Sequence, residues 1–89
     1  MSYRVEFTSS AEREFLKLPK GDSRRIGQHI DALADNPRPS GCVKLSGLGN
    51  LWRIRVGDYR IIYSIQDVPM VVAITKIGHR REVYRGLSG

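Results

Sequence analysis

Two alternating stretches joined by only two residues constrain this chain more than anything else in it. Leu51-Trp52-Arg53-Ile54-Arg55-Val56 and Tyr59-Arg60-Ile61-Ile62-Tyr63-Ser64-Ile65 are rich in β-branched and aromatic side chains, as strands are. Gly57-Asp58 alone separates them, a link that suits a tight β-hairpin. A loop this short sets the register. Val56 lies opposite Tyr59, Arg55 opposite Arg60, Ile54 opposite Ile61, Arg53 opposite Ile62 and Trp52 opposite Tyr63. Because side chains alternate across a strand, Trp52, Ile54, Val56, Tyr59, Ile61 and Tyr63 form one apolar face that must be covered. Arg53, Arg55 and Arg60 emerge on the other.

The first part of the chain supplies the cover. Tyr3-Arg4-Val5-Glu6-Phe7 alternates as a half-buried strand does. Ser9 with Glu12 then fits a capping box, and Ala11, Phe15 and Leu18 share one helical face with Glu12, Arg13 and Lys17 outside it. Pro19-Lys20-Gly21 is expected to end this helix. Asp22 or Ser23 caps a second one, whose Ile26, Ile30, Leu33 and Ala34 form an apolar stripe. Asn36-Pro37-Arg38-Pro39 closes it.

Beyond Gly41 the pattern changes to strands: Val43 to Leu45, the hairpin pair, and Met70 to Ile77 after a turn over residues 66–69. With Ile65 paired to Met70, Thr75 falls beside Arg60 on the arginine face and Ile77 follows on that face. His79, Arg80, Arg81 and Tyr84 come directly afterwards. The order is β-α-α-β-β-β-β. The fold class is α+β, with the N-terminal strand and helical hairpin packed on a mostly antiparallel sheet. Eighty-nine residues suit one domain spanning 1–89.

Charge is unevenly distributed. Residues 1–42 carry seven Lys and Arg against six Asp and Glu, a balance of +1, whereas residues 43–89 carry eight against three, a balance of +5. Six of those eight are arginines, whose planar fork donates to two phosphate oxygens at once. Such a field attracts nucleic acid first, anionic membrane second and an acidic protein third. Cys42 is the sole cysteine, which suits a reducing cytoplasm. The N-terminus has no secretory pattern, and Met70–Ile74, the longest apolar stretch, is too short to span a bilayer. The scattered His29, His79 and Cys42 offer no metal-ligand spacing.

Like charges opposed across a strand pair destabilise it by roughly 0.2–1 kcal/mol. Three arginines gathered with only Asp58 and Asp67 as nearby acids make sense if a phosphodiester visits that face. A plain solvated strand face is the competing reading. His29 flanks the apolar stripe of the second helix and reads as structural.

The stretches KLSGLGNLWRIRVGDYRIIYSI and ITKIGHRREVY, with the N-terminal strand and helical hairpin, resemble the RelE/ParE toxin superfamily, and within it the RelE-like branch of mRNA interferases. The resemblance covers nearly the whole chain. Gly57-Asp58-Tyr59-Arg60-Ile61-Ile62-Tyr63 is similar to the superfamily's central pattern, and Gly78-His79-Arg80 with Tyr84 leans toward RelE. It implies the toxin of a type II toxin–antitoxin system, an endoribonuclease that cuts messenger RNA in the ribosomal A site. Its partners would be the ribosome, the message and an acidic RelB-like antitoxin, with operator DNA bound only by the toxin–antitoxin complex and no membrane. No cofactor or metal is implied. The ribose 2′-hydroxyl would attack its own 3′ phosphate, leaving a 2′,3′-cyclic phosphate and a 5′-hydroxyl.

By the same resemblance Arg53 and Arg55 match two basic strand positions that are often lysine in the family. Arg60 and Arg80 match phosphate-binding arginines, and Tyr84 the C-terminal active-site tyrosine. Guanidinium groups stay protonated, so Arg53 and Arg55 stabilise the charge of the phosphorane instead of taking a proton. The base is left open between His79, which titrates near neutrality, and Tyr84 with its phenol depressed by arginines. The substrate itself, ordered by stacking on Tyr84 and by ribosomal RNA, is a further contributor. Two rivals stand beside this reading: a ParE-like gyrase poison that cuts nothing, and a weakened toxin retained only in a repressor complex.

Overall fold

The structure, a computed structural model, describes residues 2–47 and 49–79. The elements run β1 (Arg4–Phe7), α1 (Ser9–Leu16), α2 (Lys20–Ala32), β2 (Val43–Lys44), β3 (Leu51–Val56), β4 (Tyr59–Asp67) and β5 (Met70–His79). The sheet order is β1-β5-β4-β3-β2. Among the described strands only the β1–β5 pair is parallel. The expected α+β architecture is the observed one.

The β3–β4 hairpin has the register that its two-residue link dictates, from Val56 opposite Tyr59 to Trp52 opposite Tyr63. Gly57 takes φ +60° at the turn, a conformation that disfavours a side chain. A Cβ there would also stand 3.0 Å from the Arg25 guanidinium. The apolar face meets the helices as patterned: Ile54, Val56, Ile61 and Tyr63 share one core with Ala11, Ile26, Ile30 and Leu33. Each fully buried isoleucine contributes about 1.5–3 kcal/mol, so Ile26 and Ile30 of α2 help to hold the layers together.

The helix starts differ from the sequence reading. Thr8, not Ser9, caps α1, its hydroxyl accepting from Ala11 N–H at 3.2 Å. The second helix begins at Lys20 behind Pro19, with no side-chain cap, so Lys20 and Gly21 belong to the helix instead of to a turn. The fixed φ of proline suits a helix entry. This leaves the Asp22 carboxylate free of capping duty, and Tyr59 Oη donates to it at 3.1 Å across the layers.

The second β-hairpin overturns the expected register. Asp67 pairs with Met70, so the turn is only Val68-Pro69, and the register shifts between Ile62 and Tyr63. Tyr63 faces Ile74, yet Ile62 faces Lys76, leaving Thr75 as the extra residue of a β-bulge. The Thr75 hydroxyl donates to the Ile62 carbonyl at 3.1 Å. An added residue reverses the alternation beyond it. Ile77 therefore enters the core and does not lie on the arginine face, and Gly78, not Thr75, sits opposite Arg60.

Candidate nucleic-acid interface

The sheet has two chemically different faces, and the arginines mark the one away from the helices. Arg55 and Arg60 are directly opposed, and Arg53 is opposed to Ile62, so three cationic side chains issue from neighbouring positions of one hairpin. They are not equally solvated. Arg55 is exposed, Arg53 half-buried, and Arg60 only 9% exposed, the one buried charged side chain among the described residues. Arg60 Nη1 donates to the Tyr59 carbonyl at 3.3 Å. A buried guanidinium is costly unless hydrogen bonds or counter-charges answer it, and the Tyr59 carbonyl is one such partner for Arg60. Ile62, wholly buried outside the main core cluster, gives this face an apolar floor.

His79 lies elsewhere. It pairs with Tyr59, and its ring meets the Tyr59 ring edge-on at 6.1 Å between centroids. Tyr59 is the tyrosine held by Asp22 of α2, so His79 stands on the helical side. There it lines a cleft of about 350 Å³ with Glu14, Lys17, Leu18 and Lys76. The bulge at Thr75 is the cause, since it sets the phase of every residue after it. The thickness of the sheet thus separates His79 from Arg53, Arg55 and Arg60. Arg80 and Tyr84 lie outside the described residues.

Burial first, then the hydrogen bond to Asp22, pushes the Tyr59 phenol above its ordinary value. Tyr63, hydrogen-bonded to the Pro37 carbonyl at 2.8 Å, is pushed higher still by burial. Both remain protonated neutral groups near pH 7, and both belong to the scaffold. The other titrating cluster lies at the far end of the sheet. The Tyr3 hydroxyl at 2.6 Å and the Arg38 guanidinium at 3.3 Å hold the Asp67 carboxyl below the usual range. Arg38 also stands over the Trp52 ring, 5.3 Å from its centroid.

His29 Nδ1 donates to the Arg25 carbonyl one helical turn back at 3.0 Å, in keeping with a structural reading. It borders a cleft of about 600 Å³ between α2, the 39–41 loop and the outer edge of β3. Among the described residues no three His, Cys, Asp or Glu side chains gather as metal ligands, and no helix is long and apolar enough to cross a membrane.

Sequence reasoning missed the roles of three residues. Glu14 holds the edge of β5, Asp22 ties Tyr59 to α2, and Thr75 makes the bulge. Glu14 carries no local signal beyond a polar helix position, Asp22 reads as a candidate helix cap, and Thr75 as a strand residue beside Arg60. Only the tertiary arrangement distinguishes them.

Comparison with known proteins agrees with this arrangement. A family model described as ParE toxin of type II toxin-antitoxin system, parDE, matches residues 5–84. Toxin RelG of Mycobacterium tuberculosis is 31% identical over 86 residues, covering 96% of this chain and 99% of that protein. The mRNA interferase toxin RelE of Escherichia coli is 27% identical over 88 residues, with 94% and 92% covered. The crystal structure of the archaeal RelE-RelB complex from Pyrococcus horikoshii contains a chain that superimposes with a TM-score of 0.80 at 35% identity, covering 93% of this chain and all of that one. The chain belongs to the RelE/ParE superfamily of toxins of type II toxin–antitoxin systems.

Proposed function

We propose that this toxin is a metal-independent endoribonuclease that cuts messenger RNA in the ribosomal A site and thereby stops translation. The observation that carries the reading is the directly opposed Arg55–Arg60 pair, joined by Arg53 on the same face. A strand pair gains nothing from facing like charges, whereas a phosphate approaching the sheet meets guanidinium groups gathered on one face. The Escherichia coli relative named an mRNA interferase supports the same chemistry.

In this reading the 2′-oxygen attacks the adjacent phosphorus and the bond to the 5′-oxygen breaks. The proton lost by the 2′-hydroxyl passes to a base, and the departing 5′-oxygen gains one. Arg53, Arg55 and Arg60, with Arg80, hold the non-bridging oxygens as charge builds on them, and Tyr84 orders or protonates the substrate. His79, across the sheet from the arginines, is a poor candidate for the base. The cytoplasm follows as the place of action.

The RelE-RelB complex of the archaeal relative supports an antitoxin as the natural restraint on this toxin. An acidic segment suits the basic face. Ribosome and operator DNA enter as partners through the family resemblance.

The ParE name of the family model favours a second reading, in which the toxin blocks DNA gyrase and leaves RNA intact. Primer extension on messenger RNA from a translating extract, with and without the protein, separates the two. Codon-positioned breaks are expected. Intact message accompanied by arrested supercoiling would overturn the nuclease in favour of the gyrase target.

A further inference from the structure

Strand β5 outruns its parallel neighbour. Pairing with β1 stops at Phe7 opposite Ile74, and beyond the bulge at Thr75 residues 76–79 are paired in the sheet only with β4. An open edge there exposes backbone donors and acceptors that need partners, and α1 with its cap provides them. Thr8, its cap, donates its backbone N–H to the Ile74 carbonyl at 2.9 Å and its hydroxyl to the Thr75 carbonyl at 3.4 Å. Six residues on, Glu14 Oε1 accepts from Ile77 N–H at 2.9 Å, and Oε2 from Lys76 Nζ at 3.4 Å. The two contacts bracket the bulge from outside. Glu14 and Lys76 side chains are 31% and 27% exposed, so this is no freely solvated ion pair.

The bulge needs such a bracket, because the alternative register is disastrous for both faces. Carrying the Tyr63–Ile74 pairing onward without a bulge would set Ile61 opposite Lys76 and Arg60 opposite Ile77. An amine would enter the core, and an isoleucine would take the place that Gly78 holds beside Arg60. We propose that Glu14 is a positioning residue of the arginine face. By accepting the Ile77 amide and the Lys76 ammonium it locks β5 in the bulged register, and so fixes the strand end that immediately precedes Arg80 in the chain. Its effect on catalysis rests on the nuclease reading, whereas its hold on the strand does not.

The test compares Glu14→Ala, which removes both acceptors, with Glu14→Gln, whose amide oxygen accepts the same N–H. Amide exchange at Ile77 and Ile61, thermal melting, and kcat and KM for RNA cleavage on programmed ribosomes are measured for each. In E14A, Ile77 exchange accelerates at least about tenfold relative to Ile61, kcat falls on the order of 10²-fold as misplacement of reacting groups predicts, and KM stays within about threefold. E14Q restores kcat and Ile77 protection to within about threefold of the starting protein. Should E14A not fold, Glu14→Asp, with its carboxylate withdrawn by one methylene, carries the same expectation. Unchanged Ile77 exchange in folded E14A overturns the inference, as does an E14Q as impaired as E14A, or a loss of activity no larger than the loss of folded protein. If the unaltered toxin cuts no RNA, the nuclease reading fails, and Ile77 exchange alone decides whether Glu14 holds the strand.

Discussion

Replacing Arg55 by glutamine should make the toxin more stable and less able to hold RNA. Arg55 and Arg60 are direct cross-strand partners, and Arg60 is buried enough to be poorly screened. Opposed like charges cost roughly 0.2–1 kcal/mol. For a domain of this size each kcal/mol shifts Tm by about 4–8 °C. Arg55→Gln should therefore melt roughly 1–8 °C higher in low-salt chloride, where screening is weakest. The order should reverse when a polyanion is bound. An RNA oligonucleotide with deoxyribose at the cleavage position cannot be cut. At about ten times its dissociation constant it adds about 1.4 kcal/mol to the protein that binds it. The unaltered toxin should gain that increment and R55Q much less. Differential scanning calorimetry in chloride, with and without the oligonucleotide, makes the comparison. An R55Q that melts at or below the parent in chloride, or that gains as much from the oligonucleotide, refutes the idea that this pair is strained for the sake of an anion.

Three further outcomes follow from the same structure. Tyr63→Phe leaves the Pro37 carbonyl without its 2.8 Å donor, and urea titration should show a loss of about 1–3 kcal/mol with cleavage per folded molecule unchanged. The Asp67 carboxyl is depressed by Tyr3 and Arg38, so its contribution to stability is present above the unfolded carboxyl pKa and is lost as pH falls through the lower folded value. Urea midpoints should therefore drop less between pH 5 and pH 2 in Asp67→Asn than in the parent. His79→Gln should keep RNA cleavage within about threefold, because the ring lies with Tyr59 on the helical side; a loss on the order of 10²-fold, as expected of a general base, would return His79 to the reaction.

How much could be read beforehand depended on how local the deciding physics was. The Gly57-Asp58 link fixed a register over six cross-strand pairs because a two-residue hairpin leaves no freedom, and the arginine face followed from alternation alone. The apolar stripe of α2 was equally plain, since Ile26, Ile30 and Leu33 are all buried. The β4–β5 register was not legible. Two residues rather than four make its turn, and the bulge at Thr75 sits where Thr8 and Glu14, distant in sequence, meet the outer edge of β5. One misjudged residue of phase moved Ile77 from the arginine face to the core and set His79 on the helical side. Helix starts were blurred for a milder reason: Thr8, Ser9 and Ser10 are adjacent hydroxyls with similar capping power.

The proposed function requires RNA to meet the sheet on its arginine side. Side-chain nitrogen–proton resonances of Arg53, Arg55 and Arg60, followed by NMR as the uncleavable oligonucleotide is added, report on that directly. These three are expected to move together and saturate at one concentration, while Tyr59, His79 and Asp22 hold still. Movement confined to the helical side, with the three arginines silent, would contradict it.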